Sequence, residues 1–529
     1  MSARRLLAVT RVLTRLAAEE GARLTGRPGR HVTSSETRRQ RARSMRLALE
    51  RLGPFYIKVG QMLSTRPDLV SAETMAEFAQ LHDKVSPAPF EVFEPVLAEE
   101  WGPAWRDRFA KVADGQPLGS ASLAQVYEVI LPDGTSGVLK VQRPDIRALV
   151  LDDMAMARRA VRLVARRARD LNAVIDLEAT LNVVFEAMEA ELDFTVEAAN
   201  MERARELVTD FEYLDVPEVI AASPRAMVQS LAPGRSIREV DPAALTERER
   251  LGIGRDLLAF AYRGYLVDRF FHADLHPGNI FVAPGHRAFL IDWGMVGRLD
   301  RRMSMTLVAV LLAVAHNDGT GVARAWLELG KATPWADVPA FCGDVAVLVP
   351  KVTTASLDEL DFGLTLTTMI KYAAHRGIQT SPVIALLGKS FANLEGSVRY
   401  LAPELKVTEI FEEEVRDILF RLVGQACSEI AAARTTVDLL IGAALVPEQL
   451  RGLLRDASNR ELTFRLGHLR AKGTPDPTTS LAARKKPTSA IVFAAVGALL
   501  WWTRRSKAVH VHLSPRGHDG TGCRDGPAG

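Results

Sequence analysis

The amino-acid sequence predicts an α+β protein of two lobes, with a helical N-terminal extension and a C-terminal hydrophobic helix. A β-hairpin pattern within residues 122–142 predicts a small lobe that contains a sheet. Apolar residues at helical spacing after Gly297, as in 303–316 and 384–396, predict a larger helical lobe. The uncharged run Ala490–Trp502, which has basic residues on both sides, predicts the hydrophobic helix.

Length and composition limit the classes of protein to which the chain can belong. Its 529 residues are too many for one ordinary domain. Apolar residues make up 47% and charged residues 25%, and the formal net charge of +3 is too small to indicate a nucleic-acid partner. The three cysteines lie far apart and show no disulfide or zinc spacing, which fits a reducing compartment.

Two features of the N-terminal extension have a helical pattern. Residues 1–45 carry many arginines with Leu and Val at helical spacing, which could rest on an anionic membrane surface or form a solvated helix face. A further helix is predicted within 52–68, because Pro54 suits the first turn of a helix. Lys58 and Gln61 are three residues apart and therefore share one face of it.

The predicted hairpin joins strands 122–130 and 136–142 through a turn at Asp133-Gly134. Lys140 lies on the second strand, where a lysine either faces solvent or points at a phosphate. The loop before the first strand contains small residues that would let the backbone approach a ligand, although it is not a GxGxxG motif. These residues are Gly119, Ser120, Ala121 and Ser122.

Two long helices are predicted to follow, at about 145–168 and 176–209. On one continuous helix, Glu191 and Glu197 would lie about 120° apart around the axis, at about 100° per residue. They would therefore serve two different lysines rather than one cation. The chain then forms a short strand at Ala226–Ser230, and the Pro-Gly that follows suits a hinge between lobes.

The strongest chemical pattern comes after this hinge. Asp274 is followed by Asn279 five residues later, and an apolar strand then ends in Asp292-Trp-Gly. Taken alone, Asp274 could cap a turn, and His272 and His276 could be packed histidines or members of a metal site. A strand lysine, a helical glutamate, an Asp-to-Asn spacing of five and a strand ending in Asp-aromatic-Gly follow one another in the order found in protein kinases.

That order predicts a Mg²⁺-nucleotide site. Lys140 would neutralise the α- and β-phosphates, and a carboxylate would hold it in place. Asn279 and Asp292 offer the hard oxygen ligands that Mg²⁺ prefers. Asp274 would orient a nucleophile. The expected cofactors are therefore ATP and Mg²⁺.

The motifs resemble those of the UbiB/ADCK atypical kinase-like family. Small-molecule kinases share HxDxHPGN and IDxG, so the upstream segments decide between the two groups. Residues 52–68 resemble the KxGQ helix of the family, 117–126 its alanine-rich nucleotide loop, 138–144 its VAVKVQRP strand and 191–200 its ExD helix. The resemblance covers about residues 46–415, and KxGQ and ExD are its most specific parts.

The resemblance implies roles for individual residues. Lys140 is the nucleotide lysine and Glu197 its partner, while Lys58, beside Gln61, pairs with Glu191 of the ExD motif, whose second acid is Asp193. The implied nucleotide contacts are the 119–122 loop and, at a hinge position that usually holds Glu, Gln229. The chain also departs from the family pattern at Val138, Leu275 and Trp293. These departures leave the charged positions intact and affect only the expected rate and nucleotide preference.

The resemblance implies ATP hydrolysis or small-molecule phosphorylation linked to isoprenoid quinone synthesis, with the KxGQ helix lying over the site where a kinase would receive a peptide. A true protein kinase is one alternative, and a non-catalytic, nucleotide-gated lipid-binding or scaffold protein is another. We expect ATP or ADP and a membrane lipid or quinone precursor as partners, no nucleic acid, and a membrane-associated protein whose kinase domain is cytoplasmic. A homodimer is left open.

The expected domain order combines these segments. Residues 437–446 are a weaker apolar run that carries Asp438, which favours a soluble helix. The predicted units are a basic leader at 1–45, the KxGQ extension at 46–116, a small lobe at 117–232, a helical lobe at 233–425, a helical tail and linker at 426–487, a membrane segment at 488–503 and a disordered tail at 504–529.

Overall fold

A computed structural model describes residues 3–25, 35–64, 66, 70–81, 85–167, 177–354 and 362–405, together with 410, 413, 414, 418 and 421. The expected apolar segments at 437–446 and 488–503 lie outside these residues. Among the helices of the described part of the chain, none is both long and apolar enough to cross a membrane.

The N-terminal extension is helical, as expected. Its helices are Ala3–Thr25, Ser35–Leu52, Pro54–Leu63, Ala72–Phe78 and Glu94–Trp101. The helix Pro54–Leu63 carries the KxGQ motif and is called the KxGQ helix below. It begins after Gly53, whose φ of 97° lies in the left-handed region that glycine tolerates. Phe55 of this helix packs into a buried cluster with Val150, Phe185 and Met188, so the small lobe supports the KxGQ helix.

The small lobe is built on a six-stranded sheet. The main path runs through Lys111–Val112, Ala124–Ile130, Ser136–Gln142, Ala226–Ser230 and Val219–Ala222, and Gly119–Ser120 pairs with the second of these strands. The predicted hairpin is confirmed, with Ala124 opposite Gln142 and Gly134 in the left-handed conformation at its turn. One face of the sheet buries Tyr127, Leu139 and Val228 against the helix Glu94–Trp101.

The helices between the third and fourth strands of this path differ from the prediction. In place of one helix at 176–209, the chain forms Leu177–Glu191 and Phe194–Val208, after an earlier helix at Ile146–Arg167. Asp193 caps the last of these by accepting a hydrogen bond from the backbone N–H of Thr195. The assumption that Glu191 and Glu197 share one helix is therefore wrong.

The large lobe is mainly helical and follows the hinge strand Ala226–Ser230. Its helices are Glu247–Arg263, Arg301–Ala315, Gly319–Leu329, Val338–Thr354, Phe362–His375 and Pro382–Leu401. Short strands interrupt them. One sheet has the order Leu214–Asp215, Ala288–Leu290, Ile280–Val282 and Arg235–Ser236, and two further pairs are Phe270–His272 with Val296–Arg298 and Gly330–Ala332 with Ile378–Thr380. The two-lobed α+β fold is thus as predicted.

Candidate functional site

Two short strand pairs bring the three motif residues together. Asp274 follows the strand Phe270–His272, Asn279 directly precedes Ile280–Val282, and Asp292 follows Ala288–Leu290. The last two strands pair with Ile280 opposite Leu290, and the pairing continues as the N–H of Ile291 donates to the carbonyl of Asn279 at 3.0 Å. The hairpin therefore places Asn279 beside the residue that precedes Asp292.

Asp292 has an unusual backbone conformation. Its φ of 63° lies in the left-handed region, which is uncommon for a residue with a side chain. The preceding strand and the buried Trp293 hold it there. A strained backbone conformation persists only where the surrounding structure holds it in place. Such conformations cluster at ligand-binding and active sites.

Trp293 packs in the core directly behind the turn at Asp292. Its side chain is fully buried, stacks on Phe270 with a centroid distance of 6.0 Å, and donates its indole N–H to the carbonyl of Leu290 at 3.0 Å. The carbonyl of Trp293 accepts a hydrogen bond from the Asn200 amide at 3.0 Å. The aromatic residue after Asp292 thus fixes the turn against both neighbouring elements.

His272 has a structural rather than a metal-binding arrangement. Its Nδ1 accepts from the N–H of Asp274 at 3.1 Å, so its Nε2 is the protonated nitrogen and donates to the carbonyl of Ile291, also at 3.1 Å. Burial lowers the pKa of His272 and keeps the ring neutral. His276 is likewise engaged, since its Nδ1 accepts from the N–H of Gly278. Within the described residues, no cluster of three His, Cys, Asp or Glu side chains could hold a metal.

Lys140 and Glu197 form a buried ion pair across the small lobe. The distance between Nζ of Lys140 and Oε1 of Glu197 is 2.5 Å. Burial works against the ammonium, but the charges of Glu197 and Asp292 outweigh it, so the pKa of Lys140 is raised. Burial and the nearby Asp292 raise the pKa of Glu197, while Lys140 acts in the opposite direction. Lys140 therefore stays charged between the glutamate and the candidate metal ligand.

Lys58 of the KxGQ helix pairs with Glu191, the last residue of the helix Leu177–Glu191. The two glutamates therefore meet two different lysines, although the helix break at residues 192–193 rather than one helical face separates them. Gln61 donates a hydrogen bond to the carbonyl of Leu81 at 3.3 Å, which ties the KxGQ helix to the rest of the extension. The carboxylate of Asp193 caps the following helix by accepting from the N–H of Thr195 at 3.0 Å.

Arg143 organises the small-residue loop at 119–122, which sequence reasoning assigned to the nucleotide. Its guanidinium donates to the carbonyl of Ala121 at 2.9 Å and to the hydroxyl of Ser120 at 2.7 Å. Gly119 has open space where a Cβ would be, whereas Ser122 is buried. The loop is thus braced by an arginine just after the lysine strand, a role that its position in the sequence did not reveal.

Gln229 lies on the same side of the sheet as Lys140. Val138 is its register partner, and alternation along paired strands places it on the face opposite the buried Leu139 and Val228. Its Oε1 is buried and has no hydrogen-bond partner among the residues that the structure describes. Buried acceptors are nearly always satisfied, so this oxygen suits an N–H group of a bound ligand.

The residues present fit Mg²⁺ with a nucleotide. Asn279 donates its amide N–H to the carbonyl of Asp274 at 3.1 Å, which leaves its side-chain oxygen for a metal. With the Asp292 carboxylate this makes two hard oxygen donors, and Mg²⁺ is usually held by one or two protein ligands plus phosphates and water. The orphaned acceptor of Gln229 and the charged Lys140 complete a set suited to a base and a polyphosphate.

The structure also adds residues that sequence reasoning missed. Lys389 and Asn393, on the helix Pro382–Leu401, both contact Oδ1 of Asp274, at 3.0 and 2.9 Å. Burial would raise the pKa of Asp274, but Lys389 above all, with help from His276 and Lys58, lowers it. Asp274 is therefore an ionised carboxylate held by a cation, and the only signal in the sequence was a polar stripe on an otherwise apolar helix.

Comparisons with known proteins match the chain to a kinase-like family. Residues 80–326 match the ABC1 atypical kinase-like domain. The chain is 33% identical to a probable protein kinase UbiB of Cellvibrio japonicus, over 70% of this chain and 68% of that protein. It is 32% identical to the probable protein kinase UbiB of Pseudomonas aeruginosa, over 77% of this chain and 79% of that protein.

A solved structure, the complex of Rv3197 with erythromycin from Mycobacterium tuberculosis, aligns with a TM-score of 0.41 at 21% identity, covering 65% of this chain and 92% of that one. The sequence relatives cover more than two thirds of both chains at 30% identity or more. They also carry the name of the family that the motifs resemble. The chain belongs to the UbiB family of ABC1 atypical kinase-like proteins.

Proposed function

We propose that this protein is a Mg²⁺-dependent ATPase or phosphotransferase of the atypical kinase type, associated with a membrane and supporting isoprenoid quinone or lipid metabolism. The observation that carries the proposal is the double pairing of Lys140 with Glu197 and Lys58 with Glu191 around one Asp-Asn-Asp site. The Lys140–Glu197 pair suits nucleotide binding. The Lys58–Glu191 pair brings the KxGQ helix of the N-terminal extension to the same site.

The proposed roles follow from the chemistry of phosphoryl transfer, in which positioning and charge stabilisation provide most of the catalysis. Lys140 binds the α- and β-phosphates, and Glu197 keeps its ammonium in place. Asn279 and Asp292 hold Mg²⁺, which supplies charge neutralisation when bound. Asp274 orients the attacking oxygen, because Lys389 makes it a weak base but leaves it a good hydrogen-bond acceptor.

The KxGQ helix restrains the site in this proposal. Lys58 is buried at 6% exposure and close enough to Asp274 to affect its pKa, so the helix lies near the acceptor side of the carboxylate. A folded peptide substrate would have to reach the same side. Water or a small acceptor needs less space, which favours hydrolysis or small-molecule phosphorylation over a true protein kinase.

The membrane and quinone parts of the proposal have separate support. The relatives are named UbiB, and the helix Ala3–Thr25 is amphipathic and rich in arginine, which suits an anionic lipid surface. The apolar segment at 488–503 offers a second membrane contact by its sequence alone.

The test measures thermal stability and phosphate release for the wild type and for Asp292→Asn, with Mg²⁺ and ATP, in the presence and absence of anionic vesicles. We expect Mg²⁺-ATP to raise the Tm of the wild type and vesicles to increase its phosphate release. Asp292→Asn should lose at least tenfold of its turnover and most of the nucleotide stabilisation, because it removes the charged metal ligand. Asp318→Asn, at an exposed helix cap, is the control.

Each other outcome points to a different function. Retention of both nucleotide stabilisation and turnover in Asp292→Asn would overturn the metal assignment. Stabilisation of the wild type by Mg²⁺-nucleotide with no phosphate release, whether or not lipid is present, would support a non-catalytic nucleotide-gated protein. Transfer of the γ-phosphate to a peptide would support a protein kinase.

A further inference from the structure

The last helix of the large lobe, Pro382–Leu401, contacts the loop that carries Asp274 at several points. The hydroxyl of Ser390 donates to the carbonyl of His272 at 2.6 Å, and that of Ser397 to the carbonyl of Leu275 at 3.2 Å. Lys389, Asn393 and Ser397 are four residues apart and therefore share a helix face. This face holds the loop from a part of the chain more than a hundred residues away.

The contacts of this helix are of two kinds, to the backbone of the loop and to the side chain of Asp274. The serines bind backbone carbonyls, which positions the loop. Lys389 and Asn393 instead bind the Asp274 side chain, and both use its Oδ1. Among the described residues, no hydrogen bond reaches Oδ2, so that oxygen remains to accept one from an attacking group.

The ammonium of Lys389 is placed where charge develops during phosphoryl transfer. An oxygen oriented by Asp274 lies about 3 Å from its carboxylate and about 3–3.5 Å from the phosphorus that it attacks. A cation 3.0 Å from the same carboxylate is thus a near neighbour of the transferred group. The side chains of Lys389 and Asp274 are 17% and 26% exposed, so a ligand can reach their pair from solvent.

The other two lysines of the site form ion pairs with glutamates rather than with Asp274. Lys140 is held by Glu197, and Lys58 is paired with Glu191. Between Asp274 and Asn279 the loop contains no Lys or Arg. Lys389, on the helix Pro382–Leu401, is the lysine whose ion pair with the acceptor carboxylate is direct, at 3.0 Å.

We propose that Lys389 binds the γ-phosphate of a bound nucleoside triphosphate and that Asn393 is a positioning residue that holds Asp274 by one carboxylate oxygen. This inference rests on the proposed nucleotide site, and the part that concerns Lys389 does not depend on turnover. It assigns the discrimination between ATP and ADP to a residue outside the matched 80–326 domain.

The test compares dissociation constants for ADP and for β,γ-imido-ATP, both with Mg²⁺, in the full-length protein by titration calorimetry. Lys389→Met should weaken the triphosphate analogue about tenfold to a hundredfold, as expected for one hydrogen bond to a charged group, and change ADP binding by less than about threefold. Lys389→Arg should restore most of the loss. Lys371→Met, which removes an exposed lysine of the helix Phe362–His375, is the matched control.

Asn393→Leu should leave both dissociation constants unchanged while lowering kcat at constant KM for ATP. An equal loss of ADP and triphosphate binding in Lys389→Met, or no loss of either, would overturn the role of Lys389. A fall in nucleotide affinity in Asn393→Leu would overturn its positioning role. Absence of phosphate release from the wild type would count against the proposed activity alone, because the binding comparison still decides Lys389.

Discussion

Arg5 connects three parts of the molecule. On the helix Ala3–Thr25, its guanidinium donates to both carboxylate oxygens of Asp153, one of them at 2.7 Å, and to the carbonyl of Leu52. The Asp153 side chain is fully buried, and that of Arg5 is 15% exposed. Leu52 directly precedes Gly53 and the KxGQ helix. One side chain therefore joins the leader helix to the end of the helix Ser35–Leu52, just before the KxGQ helix, and to the helix Ile146–Arg167 of the small lobe.

Arg5→Ala should release the leader helix rather than unfold the protein. Leaving the buried carboxylate of Asp153 unpaired would cost about 3–5 kcal/mol. Burial raises the pKa of Asp153, so protonation can limit this cost. Val9 of the leader helix is buried, which contributes about 1.5–3 kcal/mol, and Leu16 adds a partly buried contact with Ile57 and Phe78. Because the penalty is at least as large as these contributions, we expect the leader helix to detach and admit water to Asp153.

Hydrogen exchange followed by mass spectrometry can measure this response. In Arg5→Ala we expect at least about tenfold faster exchange in residues 6–16 and in the first turn of the KxGQ helix, with Tm lowered by only a few degrees. Arg5→Lys should lie between this variant and the wild type, because an ammonium cannot form the two-pronged contact. Arg11→Ala, at an exposed position of the same helix, should match the wild type. Equal exchange in Arg5→Ala and Arg11→Ala would refute the reasoning, as would a cooperative loss of the whole fold.

Two further predictions concern the lysine pairs. Lys58→Ala should raise basal phosphate release by up to about tenfold, because it frees the KxGQ helix from its largely buried ion pair with Glu191; unchanged kinetics and nucleotide affinity would argue against the restraint. Glu197→Gln should lower the free energy of unfolding in urea by about 1.5–3 kcal/mol, less than the full cost of a broken buried pair, because Asp292 still compensates Lys140. A loss above about 5 kcal/mol would show that Asp292 gives no compensation.

Local signals in the sequence were enough to predict much of the fold. The Asp-Gly turn and the alternation on either side of it predicted the hairpin that carries Lys140, and strand residues fell within a few positions of their expected limits. The spacing from Asp274 to Asn279 and Asp292 corresponds to two short strand pairs, which bring these residues together. These features depend on contacts between residues close in the chain, so the pattern itself contains the information.

Other features depended on packing that the sequence pattern does not show. The predicted helix at 176–209 breaks at Leu192-Asp193, although Ala190, Glu191 and Leu192 are good helix formers. Leu192 is buried in the cluster beneath the KxGQ helix, and Asp193 acts as an N-cap, a signal that its residue type offered but that helical periodicity masked. Lys389 was missed for a related reason, since a polar residue on an apolar helix does not reveal what it will contact.

The charges of the site explain why its parts must come from such distant segments. Three ammonium groups face four carboxylates, Lys58, Lys140 and Lys389 against Glu191, Glu197, Asp274 and Asp292, which leaves one negative charge in excess. Each lysine has a carboxylate in direct contact, so the excess falls on Asp292, which affects Lys140 only through its charge. A site of this balance repels a free polyphosphate but attracts a divalent cation. Binding of a divalent cation at Asp292 would remove this excess, so in the proposed site the metal ion must be present before a polyphosphate can approach Lys140 and Lys389.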